Sequence, residues 1–205
     1  MKNTRSSQWI AVGAIGLALL VVMFAVQTLS SEEYEFHGGT WDPPRMAPEL
    51  AMTDQHGNEF LLEDHRGKVV VIFFGYTFCP DFCPSTMVEV VEVLNFLGED
   101  AENVEVAFVS VDPARDTPER LEQYMGFYSP DFHGLSASEE QTDAIKTAWG
   151  VRGDAQEPEE GKPYYLVDHT TTLFAVAPDG TLAVEWAYGT DAELIAEDIR
   201  HLLND

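Results

Sequence analysis

The sequence predicts an α/β sandwich, and three features predict it. The first is Val69-Val70-Val71-Ile72-Phe73-Phe74, a continuous apolar run of six. Such a run suits a strand buried on both faces of a sheet. The second is the segment after it, where Met87, Val91 and Leu94, with Val90 and Leu97 beside them, recur at helical spacing. The third is another apolar stretch over residues 104–111. Strand, helix and strand then alternate, as they do when helices cover a sheet.

The elements follow in chain order. Residues 9–29 are nearly all apolar, and no charge occurs between Ser6 and Ser31. A spanning helix needs roughly 20 such residues. Lys2 and Arg5 precede the stretch and Glu32, Glu33 and Glu35 follow it. Positive flanks stay inside, so residues 1–8 are expected in the cytoplasm, 9–29 as a retained transmembrane anchor, and the rest on the exported, periplasmic or extracellular side. A cleaved signal peptide fits less well, because its apolar region runs to about 7–15 residues and ends in a small-residue site. Residues 30–46 read as a linker, with Gly38-Gly39, Pro43-Pro44 and Pro48 breaking regular structure.

The folded domain is expected over 47–205. His56-Gly57-Asn58 sits between short apolar runs within 50–62, a hairpin signal. Pro84 suits the first turn of the helix over 84–97. Thr117-Pro118-Glu119 reads as an N-cap followed by proline, and Ser138 as the cap of a helix to Trp149. Strands are expected over 164–167, 173–177 and 182–187, the last two joined by Pro178-Asp179-Gly180. An amphipathic helix over 191–203 closes the chain. Residues 153–161 are acidic and read as an insertion without a role.

The chain has 205 residues, 36 acidic and 11 basic, for a net charge of −25. The part beyond the anchor holds all 36 acids and nine of the bases, −27. That argues against nucleic acid as a partner, since phosphate binding needs clustered Lys and Arg. It suits a well-solvated surface, and with only four lysines, adaptation to a saline exterior.

Both cysteines lie in Thr77-Phe78-Cys79-Pro80-Asp81-Phe82-Cys83-Pro84, between a buried strand and a helix start. Sites form at such strand ends in open α/β sheets. Each cysteine precedes a proline, which restrains its backbone. The helix N-terminus favours thiolate at Cys83. Helical i,i+4 positions have Cβ atoms about 5–6 Å apart, whereas a relaxed disulfide wants roughly 3.5–4.5 Å. The spacing therefore suits a clamp on one soft ion, Cu(I) or, with more ligands, zinc, while an ordinary stabilising disulfide stays open.

Six histidines can supply a further ligand. His37, His56, His65, His133 and His201 sit in polar or linker contexts. His169, in Val167-Asp168-His169-Thr170, stands between two strands and can reach the rim of the sheet. Asp168 is a candidate for orienting its ring. Met87 and Met125 read as packing residues. Arg115 and Asp116 read as surface charges at a capped helix start, as a salt bridge, or as residues that meet a partner.

Residues 73–84 closely resemble the signature of the Sco/SenC copper proteins. Val109-Ser110-Val111-Asp112-Pro113-Ala114-Arg115-Asp116-Thr117-Pro118 is similar to their second signature. Tyr165-Leu166-Val167-Asp168-His169-Thr170 with Pro178-Asp179-Gly180 resembles the third, in the same order. Ala177 departs from the pattern, where an Asp is expected. The resemblance implies a thioredoxin-like sandwich with an added N-terminal hairpin and insertions, behind one transmembrane helix. It implies copper, Cu(I) and also Cu(II), held by Cys79, Cys83 and His169, with no catalytic residues. It implies a metallochaperone that matures the dinuclear copper site of cytochrome c oxidase subunit II, served by a copper donor and a thiol reductant. Two alternatives are a thiol–disulfide reductase that keeps that subunit's cysteines reduced, and a redox or copper sensor.

Overall fold

The computed structural model describes residues 34–157 and 164–204. The expected cytoplasmic stretch, the 9–29 anchor, the start of the linker and residues 158–161 of the acidic insertion lie outside the described residues. Among the described residues, no helix is long and apolar enough to cross a membrane.

The strands are β1 (Arg45–Met46), β2 (Ala51–Thr53), β3 (Glu59–Leu61), β4 (Val69–Gly75), β5 (Val104–Ser110), β6 (His133–Leu135), β7 (Gly153–Ala155), β8 (Val167–His169), β9 (Leu173–Val176) and β10 (Thr181–Trp186). The α-helices are α1 (Phe82–Leu97), α2 (Pro118–Gly126), α3 (Glu139–Trp149) and α4 (Ala192–Asn204). Six strands form one sheet in the order β1-β10-β9-β4-β5-β6. β4 runs parallel to β5 and antiparallel to β9. All seven residues of β4 are buried, as its unbroken apolar run requires of a strand covered on both faces.

α2 and α3 begin where the capping residues stand. Thr117 accepts from the Arg120 backbone N–H with Pro118 in the first turn. Ser138 and Gln141 form a reciprocal capping box on α3, and Gly150, in the left-handed region, ends it. α1 and α4 pack on each other, and α4 also touches β4. Leu121 and Met125 of α2 pack on β6, so closely that a Cβ at Gly134 would lie 3.0–3.1 Å from them.

Both edges of the sheet are covered. β1 pairs with β10, and Gly39 bridges Glu185 farther along the same edge. Part of the expected linker is therefore a short strand, because the sheet supplies partners that overrule its glycines and prolines. At the other edge, Gln55 reaches inward from the turn of the β2–β3 hairpin. Its side chain donates to Phe132 O at 2.8 Å and accepts from Gly134 N–H at 2.8 Å, and Thr53 bridges Ser136 beside it.

Three boundaries differ from expectation. α1 starts at Phe82, which puts Cys83 inside the first turn. Residues 164–166 form no strand; β8 begins at Val167 and pairs with β7 off the main sheet. β6 is an additional strand whose three residues carry no alternation to announce it.

Candidate metal centre

The cysteine loop leaves the end of β4 and returns as α1. A turn closes it, with Cys79 N–H donating to Tyr76 O at 3.2 Å. Cys83 lies in the first turn of α1 and is fully buried, whereas Cys79 lies at the edge of the burial, 9% exposed. Both are free thiols. Cys83 fits because Gly75 lacks a side chain. A Cβ there would stand 2.9 Å from Cys83 Sγ, 2.8 Å from the Phe108 ring and 2.9 Å from that of Phe73.

His169 ends β8 and arrives from across the fold. Its Nδ1 lies 3.0 Å from Phe74 O and 2.9 Å from Thr170 O. Carbonyls accept, so Nδ1 carries the proton in the neutral ring and Nε2 keeps its lone pair. Nε2 lies 3.4 Å from Cys83 Sγ. Tyr76 and Phe73 meet the ring edge-on at 5.5 and 6.0 Å between centroids. One ligand atom each from Cys79, Cys83 and His169 falls within 4.8 Å of the others, and among the described residues this is the group so arranged.

Two expectations about the site change. Two backbone carbonyls orient the ring, not Asp168, which is exposed. The thiolate belongs to Cys79. A hydrogen bond from the Cys83 thiol is the main cause that lowers Cys79 to about 3; burial opposes it and His169 adds to it. Burial pushes the Cys83 thiol well up, and its hydrogen bond to Cys79 adds to the rise. Desolvation at the buried sulfur outweighs the pull of the helix terminus. Burial also works against the charged form of His169, but hydrogen bonds to Cys79 and to the Thr170 and Phe74 carbonyls raise its pKa overall.

The other histidines lie elsewhere. His37 pairs with Glu197, His65 stacks on Phe60, His133 meets Glu105, and His201 packs on Phe36. Met87 and Met125 are buried in the core. Sequence reasoning missed Gly153, which pairs with His169 across β7 and β8. A Cβ at Gly153 would stand 2.7 Å from Val111 Cβ, so the strand that seats His169 needs a glycine there. The start of the supposed insertion is part of the site's framework.

A metal held by two sulfurs and one imidazole nitrogen keeps open positions, and one sulfur lies near the surface. Soft thiolates favour Cu(I), and the imidazole extends the donor set to Cu(II).

Comparison with known proteins agrees with this chemistry. A family model described as SCO1/SenC matches residues 39–204. The mitochondrial SCO1 homolog of Homo sapiens is 31% identical over 173 residues, 82% of this chain and 56% of the human protein. Bradyrhizobium japonicum ScoI, solved with copper bound, has a TM-score of 0.70 at 32% identity, covering 77% of this chain and 99% of that one. Apo Sco1 from Thermus thermophilus has a TM-score of 0.72 at 34% identity, covering 84% and 99%. The fold is thus the thioredoxin-like α/β fold of these structures. A family match over most of the chain, with three ligating atoms gathered at one strand end, leads to one conclusion: the chain belongs to the SCO1/SenC family.

Proposed function

We propose that this protein is a membrane-anchored copper metallochaperone. Cys79, Cys83 and His169 hold the ion, and its destination is the dinuclear copper site of cytochrome c oxidase subunit II. The anchor is the apolar stretch 9–29, with the folded domain on the exported side. The observation that carries the reading is the convergence of two thiols with an imidazole whose Nε2 lone pair faces them. The copper-bound relative of 32% identity supports the choice of metal.

The proposed binding sequence uses the acid–base properties of the site. Cys79 is already thiolate, so it makes the first contact with an incoming ion at the rim. The Cys83 thiol gives up its proton as the ion settles. His169 enters through Nε2, with Nδ1–H held by Phe74 O. Three ligands leave the ion open to attack by a partner's donors, so it departs by ligand exchange.

Metal analysis of the purified whole chain tests the proposal. About one copper per chain is expected, lost on His169→Ala and on either cysteine changed to serine. Full copper retention by His169→Ala would overturn the ligand set.

A second reading draws on the acidic thiol. Cys79 as thiolate beside a protonated Cys83 is the state in which a dithiol attacks a disulfide, forming a mixed disulfide that the second thiol resolves. That reductase role predicts activity towards an oxidised CxxxC peptide that survives His169→Ala.

A further inference from the structure

The loop between β5 and α2 supplies no ligand, yet it grips both segments that do. Asp116 is 1% exposed. Its carboxylate accepts from Thr77 Oγ1 at 2.6 Å, from Thr77 N–H at 3.2 Å and from Ser110 Oγ at 2.6 Å. Arg120 approaches the same threonine from outside, with Nε donating to Oγ1 at 3.1 Å and Nη2 lying 3.4 Å from the carbonyl. Thr77 stands two residues before Cys79.

The other half of the loop turns to the histidine segment. Asp112, 5% exposed, accepts from Tyr165 Oη at 2.8 Å. Arg115 pairs with Asp112, donates to Tyr165 O at 2.9 Å and stacks over the Tyr165 ring at 3.6 Å. Tyr165 stands four residues before His169. The loop and the first turn of α2 thus place two carboxylate–guanidinium sets on the segments that bear the ligands, Asp112 with Arg115 at Tyr165 and Asp116 with Arg120 on either side of Thr77.

We infer that Asp112 with Arg115, and Asp116 with Arg120, are positioning residues that set the spacing between the cysteine loop and His169. The strand ladder of His169 does not itself join the cysteine loop: β8 pairs with β7, outside the six-stranded sheet, and reaches β9 through residues 170–172. The couples also divide the labour. Asp116 and Arg120 fix Thr77, at the start of the loop that carries Cys79 towards α1 and Cys83. Asp112 and Arg115 act mainly on the histidine segment, through Tyr165, while Arg115 also lies 5.0 Å from the Phe78 ring and 5.6 Å from the Tyr76 ring of the cysteine loop.

The inference deepens the copper-site reading, and its test runs on the metal-free whole chain so that the two fail separately. Thr77→Val removes the hydroxyl between Asp116 and Arg120, and Thr77→Ser keeps it. Tyr165→Phe removes only the bond to Asp112. Two quantities are read: the dithiol–disulfide equilibrium in a glutathione redox buffer, and the NMR signals of the His169 ring. Thr77→Val should shift the equilibrium ~10-fold towards disulfide, because a freed loop closes more readily. Thr77→Ser should restore it. Tyr165→Phe should move the His169 signals and leave the equilibrium unchanged within ~2-fold. Arg120→Gln carries the cysteine arm if Thr77→Val does not fold. Variants that move both readouts together, or neither, would overturn the inference. A wild-type chain that takes up no copper would defeat the copper reading and leave these two measurements decisive for this one.

Discussion

The carbonyl of Phe74 lies 3.0 Å from Nδ1 of His169. The end of a central strand therefore selects the tautomer of a ring that the chain delivers 95 positions later. The nitrogen left bare is the one that faces Cys83.

Copper affinity should fall with acid. Burial raises the Cys83 thiol, so a proton must leave whenever the ion binds. The raised pKa of His169 adds a second proton as pH falls below it. Each expelled proton weakens binding by ~10-fold per pH unit. Competition against a chelator between pH about 8 and about 6 measures this slope. An affinity unchanged down to pH about 4 would refute it.

Gly75→Ala should damage the site and the core together. The new Cβ meets Cys83 Sγ and two phenylalanine rings inside 3.0 Å. Overpacking of this kind costs ~1–3 kcal/mol. Urea denaturation should show a lower midpoint, and thiol titration should show Cys83 more reactive. Full stability with Cys83 still protected would contradict the close fit.

Asp198 ties the entry segment to the sheet. It accepts from the Trp186 indole N–H at 2.7 Å and from His37 N–H at 3.1 Å. Asp198→Ala leaves buried donors without an acceptor, at a cost of ~2–4 kcal/mol. Calorimetry should record a lower melting temperature and indole fluorescence a changed Trp186 environment. A variant as stable as the parent would show the carboxylate to be dispensable.

Glu105 should contribute stability that disappears in acid. Its hydrogen bond to His133 is the main cause that lowers it from 4.5 to about 2; burial opposes the shift and Lys68 supports it. A carboxylate depressed in the folded state stabilises above its unfolded value, and that stabilisation is lost as pH falls through the folded one. The loss should occupy the window from about 4.5 to about 2. Glu105→Gln should flatten the wild-type stability profile across that window, and parallel profiles would remove Glu105 from the account.

The legible parts of this molecule are those with a local signal. The apolar run of β4, the helical spacing of α1 and the caps at Thr117 and Ser138 each write their element into neighbouring residues. The cysteine loop and His169 were legible as motifs. β6 was not, because a His-Gly-Leu strand exists only through its partners β5 and Gln55. Nor was β7, whose glycine matters for what stands across from it. The choice of Cys79 as thiolate depends on burial depth, and the orientation of His169 on a distant carbonyl. Neither quantity is carried by residue spacing.

The two flanks of the sheet bear on how such a domain survives among copies of itself. One outermost strand is occupied by residues that precede the domain's core, the other by the amide of Gln55 and the bridge at Ser136. Bare strand margins recruit further strands and seed aggregates. Among the described residues both margins of the six-stranded sheet already carry pieces of the same chain, which limits the ladder open to a second molecule, and a truncation that begins past Met46 should be the form that clumps.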